Sequence, residues 1–457
     1  VRKIVMSGLA AATAALLGCA VPAMAGTGTA RTSGTVTATA GGKSAETAFL
    51  KAISAYPATS AAGRIASSLE RLSAARPQAS SSSMDVTVGT GVSCASPTAC
   101  LTVGGHEVSS TNSSSITPFA ARLHAGTWKV VPVKAPKGSK FALLTGVSCR
   151  AATSCLVLGE AATGSFPGLA PFALAWNGST LTPVAAPPLP AHTFGQVGPV
   201  SCVAVNSCVA IGSGMNETTS AGVQIIWTWN GTKWARTTVP DADPNTEMDF
   251  SGLHCFSLTS CVVTGSSLAT TSSTGTSTPV AAAWNGKAFA DLQATLPAGV
   301  SDPMFSGLSC VTAHSCVVVG SGNTSSTGAA SLAFAEVWNG KTWAVTKWSG
   351  PKGDSIAELV GVSCTSAVRC IAVGDHGTAK TGAPAALAWT GSKWTVLKVA
   401  GPGAGKAAVF VSISCPVGGK CVATGLMGKA DLSTATAIAG YWNGSTWKYG
   451  PMLPAAA

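Results

Sequence analysis

Fourteen of the 15 cysteines fall into seven pairs, and no other feature limits the fold so tightly. The pairs are Cys94/Cys100, Cys149/Cys155, Cys202/Cys208, Cys255/Cys261, Cys310/Cys316, Cys364/Cys370 and Cys415/Cys421, each enclosing five residues. Successive pairs are 55, 53, 53, 55, 54 and 51 residues apart. Recurrence at that period marks one supersecondary unit used seven times. Gly-Val-Ser or Gly-Leu-Ser precedes the first Cys in four copies, as at Gly91-Val92-Ser93 and Gly307-Leu308-Ser309. An apolar run ending in Gly follows the second Cys, as in 316–320 and 370–374.

Each unit closes on a second signature. Trp176-Asn177-Gly178, Trp229-Asn230-Gly231, Trp284-Asn285-Gly286, Trp338-Asn339-Gly340 and Trp442-Asn443-Gly444 carry it intact. Trp389-Thr390-Gly391 alters it, and His124-Ala125-Gly126 is its degraded first copy. Asn-Gly between apolar runs predicts a tight hairpin, because both residues tolerate positive φ. Each unit then reads as four short antiparallel strands, the pattern of a β-propeller blade. The predicted fold is all-β: a seven-bladed β-propeller of four-stranded antiparallel blades over residues 85–457. An open solenoid is the rival, and it would leave exposed sheet edges that a closed ring removes.

The hairpin Trp338-Asn339-Gly340-Lys341-Thr342-Trp343 resembles the Asp-box of sialidase-type and photosystem-assembly-type propellers, with Trp in most copies at the place of the naming Asp. The resemblance covers residues 85–450 and implies the fold alone, since unrelated functions share such rings. A Cys pair in every blade is an addition to that pattern. Each pair flanks a turn between antiparallel strands, which suits a local disulfide in an oxidising compartment.

The N-terminus reads as an address. Arg2 and Lys3 precede an apolar stretch over 4–17, and Ala23-Met24-Ala25 offers a cleavage site, so residues 1–25 read as a signal peptide. Leu16-Leu17-Gly18-Cys19 supports a second reading, a lipid anchor on Cys19 at the outer face of the membrane. Residues 26–84, rich in Ala, Ser and Thr, read as a partly helical spacer with helical stretches at 45–55 and 61–74. No further segment predicts a transmembrane span.

Chemistry is sparse. The six histidines, His106, His124, His192, His254, His314 and His376, show no metalloprotease spacing. A sialidase would need clustered arginines and a tyrosine nucleophile. The repeats hold only Arg122, Arg150, Arg236 and Arg369, with Tyr441 and Tyr449 inside the last hairpin. Asp241, Asp243, Asn245, Glu247 and Asp249 alternate like the start of a Ca²⁺ loop, without its Gly at the sixth position or its Glu at the twelfth. They read as a Ca²⁺ site or as a solvated acidic loop; no other cofactor is expected. Residues 85–457 carry 20 basic and 15 acidic residues without a basic run, which argues against nucleic acid.

The expected function is that of a secreted, monomeric, non-enzymatic binding or interaction propeller. Its ligand would be a glycan, another cell-envelope component or a protein of the cell exterior. The alternative is a carbohydrate-active hydrolase or lyase using loop carboxylates. The Cys-flanked turn and the Trp-Asn-Gly turn should project from one face. The variable segments 104–118, 213–222, 266–279 and 320–328, with connections 183–199 and 240–251, should build the other and hold the ligand. Trp227 and Trp348, off the repeating positions, are the indoles best suited to stack on a sugar.

Overall fold

The computed structural model describes residues 83–452 apart from 111–113, 140, 163–168, 217, 219–221, 241–245, 270–276, 296, 326–329, 379–380, 418 and 430–433. The leader, Cys19 and the spacer up to residue 82 lie outside the described residues. Among those described there is no helix; 28 strands, β1 to β28, follow one another. They form seven antiparallel meanders of four strands each, paired in chain order. The first blade is β1 (Ser83–Ser96), β2 (Ala99–Ser110), β3 (Ser114–His124) and β4 (Thr127–Val130). The first strands of the other blades are β5 (Phe141–Ala151), β9 (Thr193–Ala204), β13 (Thr246–Ser257), β17 (Ser301–Thr312), β21 (Ile356–Ser366) and β25 (Lys406–Val417).

These first strands are tied to one another by the residue before the first Cys. Its side chain turns to the next blade and accepts the N–H of that blade's Cys. Ser93 accepts from Cys149 at 2.9 Å, Ser148 from Cys202 at 3.0 Å and Ser201 from Cys255 at 3.0 Å. Ser309 accepts from Cys364 at 2.9 Å and Ser363 from Cys415 at 3.0 Å. In the fourth blade His254 replaces Ser, and its Nδ1 accepts from Cys310 at 3.4 Å. The seventh bond, from Cys94 N–H to Ser414 Oγ at 3.1 Å, joins the last blade to the first. Near the same junction β1 pairs in parallel with β27 (Thr434–Trp442) at Asp85 and Thr434. The ring is closed, and the chain folds as a β-propeller.

Local sequence explains the blade. Each first strand carries a β-bulge near its middle, as between Phe305 and Gly307 or Leu359 and Gly361. The bulged strand lies so close to the second that a Cβ on Gly320 would meet the Met304 carbonyl at 2.0 Å, and one on Gly374 that of Glu358 at 2.0 Å. Hence every apolar run ends in Gly. Apolar side chains fill the seams between blades. Leu101, Leu144, Val157 and Trp176 fill the first seam, and Val92, Leu123, Val422 and Met452 the one that closes the ring. Aromatic pairs span the hairpins, as at Trp338–Trp343 with centroids 5.1 Å apart; such pairs contribute about 0.5–1.5 kcal/mol beyond area burial.

All seven Cys pairs are disulfides, with Cα atoms 3.8 Å apart at Cys202 and Cys208 and 4.2 Å at Cys415 and Cys421. The turns they flank project from a face of the ring, while the second Cys of each pair lies on the second strand beneath it. Cys208, Cys261, Cys316, Cys370 and Cys421 are buried, each only 1% to 3% exposed. The cause is their place at the start of the second strand, between the first and third strands. Across from them on the third strand stand Trp229, Trp284, Trp338, Trp389 and Trp442, in that order. In every case aromatic and aliphatic side chains pack around the sulfur. The five are core residues, shielded from reductants and ligands alike.

The hairpins depart from the expected tight turn. Gly178 has φ 97°, but Asn177 does not take positive φ. Instead the Asn177 side-chain oxygen accepts the N–H groups of Ser179 and Thr180, each at 2.9 Å, and Trp176 pairs with Leu181 across a four-residue loop. Asn230, Asn285, Asn339 and Asn443 repeat the arrangement. The degraded first copy makes the two-residue turn, with Ala125 at φ 51° and Gly126 at φ 81°. Asn acts here through its carbonyl rather than through backbone freedom.

Candidate functional site

The repeated turns share one face, as expected. The Cys-flanked turn and the Trp hairpin of a blade touch: a Cβ on Gly178 would meet Thr153, and one on Gly391 would meet Val368. The indole N–H groups of Trp176 and Trp389 donate to Ala152 and Ala367 of the neighbouring turn, at 3.0 and 3.2 Å. These indoles are buried fasteners. A shallow cavity opens on this face between the first two blades, lined by Leu123, His124, Ala151 and Trp176, with Arg122 at its edge. It lies where Leu123, paired with Trp128, stands in the place of the Trp that opens the sister hairpins.

On the opposite face a different group converges. β20 (Trp343–Trp348) ends the fifth blade at Trp348, which stays half-buried. The chain turns through Gly350 (φ 77°) and Gly353 (φ 99°), places Asp354 and enters β21. On β22 (Arg369–Thr378) His376 sits opposite Ala357 and turns toward that connection. His376 Nδ1 lies 2.6 Å from Asp354 Oδ2, and the ring stands edge-on to Trp348 with centroids 6.0 Å apart. In the neutral ring with Nδ1–H donated to the carboxylate, Nε2 is the remaining acceptor. The first blade has a fainter copy at the same strand position: His106 Nδ1 lies 2.8 Å from Thr87 Oγ1 and 3.7 Å from Asp85.

Below this face lie buried carboxyls. Glu358 and Asp375 stand directly across β21 and β22, and Ser331 Oγ donates to Glu358 at 3.4 Å. Glu160, on β6 (Ser154–Ala162), accepts the Val197 N–H of the next blade at 2.7 Å. Burial pushes its pKa up to about 8, with a further upward push from the Asp249 charge. Glu336, on β19 (Ser331–Trp338), accepts from Thr295 N–H at 3.3 Å, and burial raises it to about 7. His254, in the belt of Ser side chains, is pushed down to about 4, first by burial and then by the Arg150 charge. It therefore stays neutral, as an acceptor at Nδ1 must.

The sequence candidates scatter. Asp241, Asp243 and Asn245 lie outside the described residues, as does the side chain of Glu247, while Asp249 is half-buried beside Glu160. Among the described residues no three His, Cys, Asp or Glu side chains are placed to hold a metal ion. Trp227, expected as a stacking platform, is fully buried and donates to the Pro188 carbonyl at 2.8 Å. Trp348 alone of that pair reaches the surface. The Asp354–His376 pair was missed because the two residues lie 22 positions apart and neither is part of the repeat. Aligning the seven copies was the available signal: only His106 and His376 occupy that place on the second strand.

No family model matches the chain, and no curated protein matches it in sequence. Solved structures are similar in fold. An ulvan-degrading polysaccharide lyase is 10% identical with a TM-score of 0.46, over 78% of this chain and 96% of that one. A fucose-specific lectin from Aleuria aurantia is 11% identical with a TM-score of 0.34, over 82% of this chain and 98% of the lectin. An arabinofuranosidase from Fusarium graminearum is 10% identical with a TM-score of 0.40, over 65% and 90%. At that level of likeness nothing about ligand or reaction passes to this chain.

Proposed function

We propose that the chain is an exported, monomeric binding propeller that takes a polar, uncharged ligand such as a glycan on the variable-loop face. The observation that carries this reading is the half-buried Trp348 beside an imidazole oriented by Asp354. An indole face and a fixed acceptor are what a sugar ring and its hydroxyls need. Seven disulfides support an oxidising exterior. Among the described residues no helix is long and apolar enough to cross a membrane.

A lyase is the second reading, because an oriented imidazole is also a general base. The buried acids favour binding: Glu160 and Glu336 hold backbone N–H groups between blades rather than facing an open cleft. The test is an array of neutral and uronate oligosaccharides probed with the wild-type chain, Trp348→Ala and His376→Ala. Retention of neutral glycans, lost in both variants, is expected. Unsaturated products from the uronates would establish the lyase, and binding unaffected by either variant would remove this site.

A further inference from the structure

The charges of the two faces are sorted. Of the 15 acidic residues within 85–457, none falls in a Cys-flanked turn or in a Trp hairpin, counting seven residues for each of these 14 turns. Nine basic residues do. The hairpins hold Lys129, Lys233, Lys287, Lys341, Lys393 and Lys448; the Cys-flanked turns hold Arg150, Arg369 and Lys420. All nine are exposed, and none makes an ion pair among the described residues. Every blade contributes at least one. On the opposite side the signs mix: Asp85, Asp302 and Asp354 lie there with Lys352, Lys406 and Lys429.

Geometry turns this set into a surface. The belt bonds join each blade to the next at the same residue, the Cys N–H, so the turns that follow stand at one height. The hairpin indoles point inward and are largely buried, which leaves Asn, Ser, Thr and Lys at the tips. Beside the cations the face exposes isolated valines, Val130, Val205, Val311 and Val368, one in each of four blades. It presents a ring of positive charge that a flat anionic partner meets all at once.

We propose that the repeated-turn face docks on a bilayer carrying anionic phospholipid, held by the headgroup phosphates. Basic residues near an anionic membrane add their attractions, which fade within a Debye length. The contact stands apart from the variable-face reading and leaves Trp348 and His376 directed away from the bilayer.

The test is co-sedimentation of the protein with vesicles of phosphatidylcholine alone or mixed with phosphatidylglycerol, across a salt series. Binding to the mixed vesicles only, weakened by salt, is expected. The variant K233Q/K287Q/K341Q/K393Q/K448Q should bind about a hundredfold more weakly or worse, with its melting temperature unchanged. The control K352Q/K406Q/K429Q should bind as the wild type does. Equal binding to both vesicle types, equal loss in the control, or capture by soluble polyphosphate without any vesicle binding would overturn the proposal.

Discussion

On the face of repeated turns, fourteen hairpins follow two templates and are held by disulfides, Asn side chains and indole N–H bonds. On the other face the hairpins and connections differ in length and composition from blade to blade, and there the Trp348, Asp354 and His376 side chains meet. Repetition yields a surface on which one kind of charge recurs around a circle. Irregularity yields a single asymmetric site. The two faces share one belt of Ser side chains and His254, so whatever breaks the ring should damage both, while changes within a face should stay local.

The largest effect should come from removing a blade. Deleting residues 307–357 takes out the partners of both the fourth and sixth blades in the belt, and the shortened chain should fail to give a closed monomer by size-exclusion chromatography. A monomer of unchanged melting temperature would mean that the faces do not depend on closure.

Next is the buried acid at Glu336. Its sister positions are Leu174, Trp227 and Leu387 in three blades and Ala121, Ala282 and Gly440 in the other three, so Glu336→Leu installs a side chain that two sister seams already hold. The folded pKa of about 7 stands above the ordinary 4.5, so the folded state keeps its proton longer than the unfolded chain. The Glu336 contribution is therefore most favourable below pH 4.5, falls as pH rises toward 7 and is flat above. The variant should lose that slope, with a pH-dependent gain on the order of 3 kcal/mol measured by chemical denaturation at both ends. A slope of the same size in the variant would place the titration elsewhere.

A single belt bond is smaller. Ser363→Ala leaves the Cys415 N–H unsatisfied and should cost about 1–3 kcal/mol. His254→Ser should be milder and should mainly change the acid limb. A folded pKa of about 4 against an ordinary 6.5 means that the His254 contribution is lost as pH falls through that window. The smallest effect belongs to the turn face: Asn339→Ala, in an exposed loop, should cost under about 1 kcal/mol, since Thr390 already lacks the paired acceptance in its own blade.

Much of the ring is written in the chain because the blade repeats. The period, the Cys pairs and the terminal Gly of each apolar run are local signals that recur seven times. What sequence reading missed lies between repeats or outside them. The pairing of Cys208 or Cys370 is legible from spacing, but its burial depends on indoles about 20 residues further on. Ser148 and Ser363 are visible in the text, but their partners are about one period away, in the next blade. His376 and Asp354 meet only because a connection folds back over β22. The nine cations of the turn face, scattered along more than 300 residues, look like dilute charge until closure stacks their blades around one axis.

The division between the faces can be measured directly by lysine acetylation and mass spectrometry, with and without phosphatidylglycerol vesicles. The account predicts slowed modification of Lys233, Lys287, Lys341, Lys393 and Lys448 on the vesicles and unchanged modification of Lys352, Lys406 and Lys429. Uniform protection, or protection of the second group alone, would contradict it.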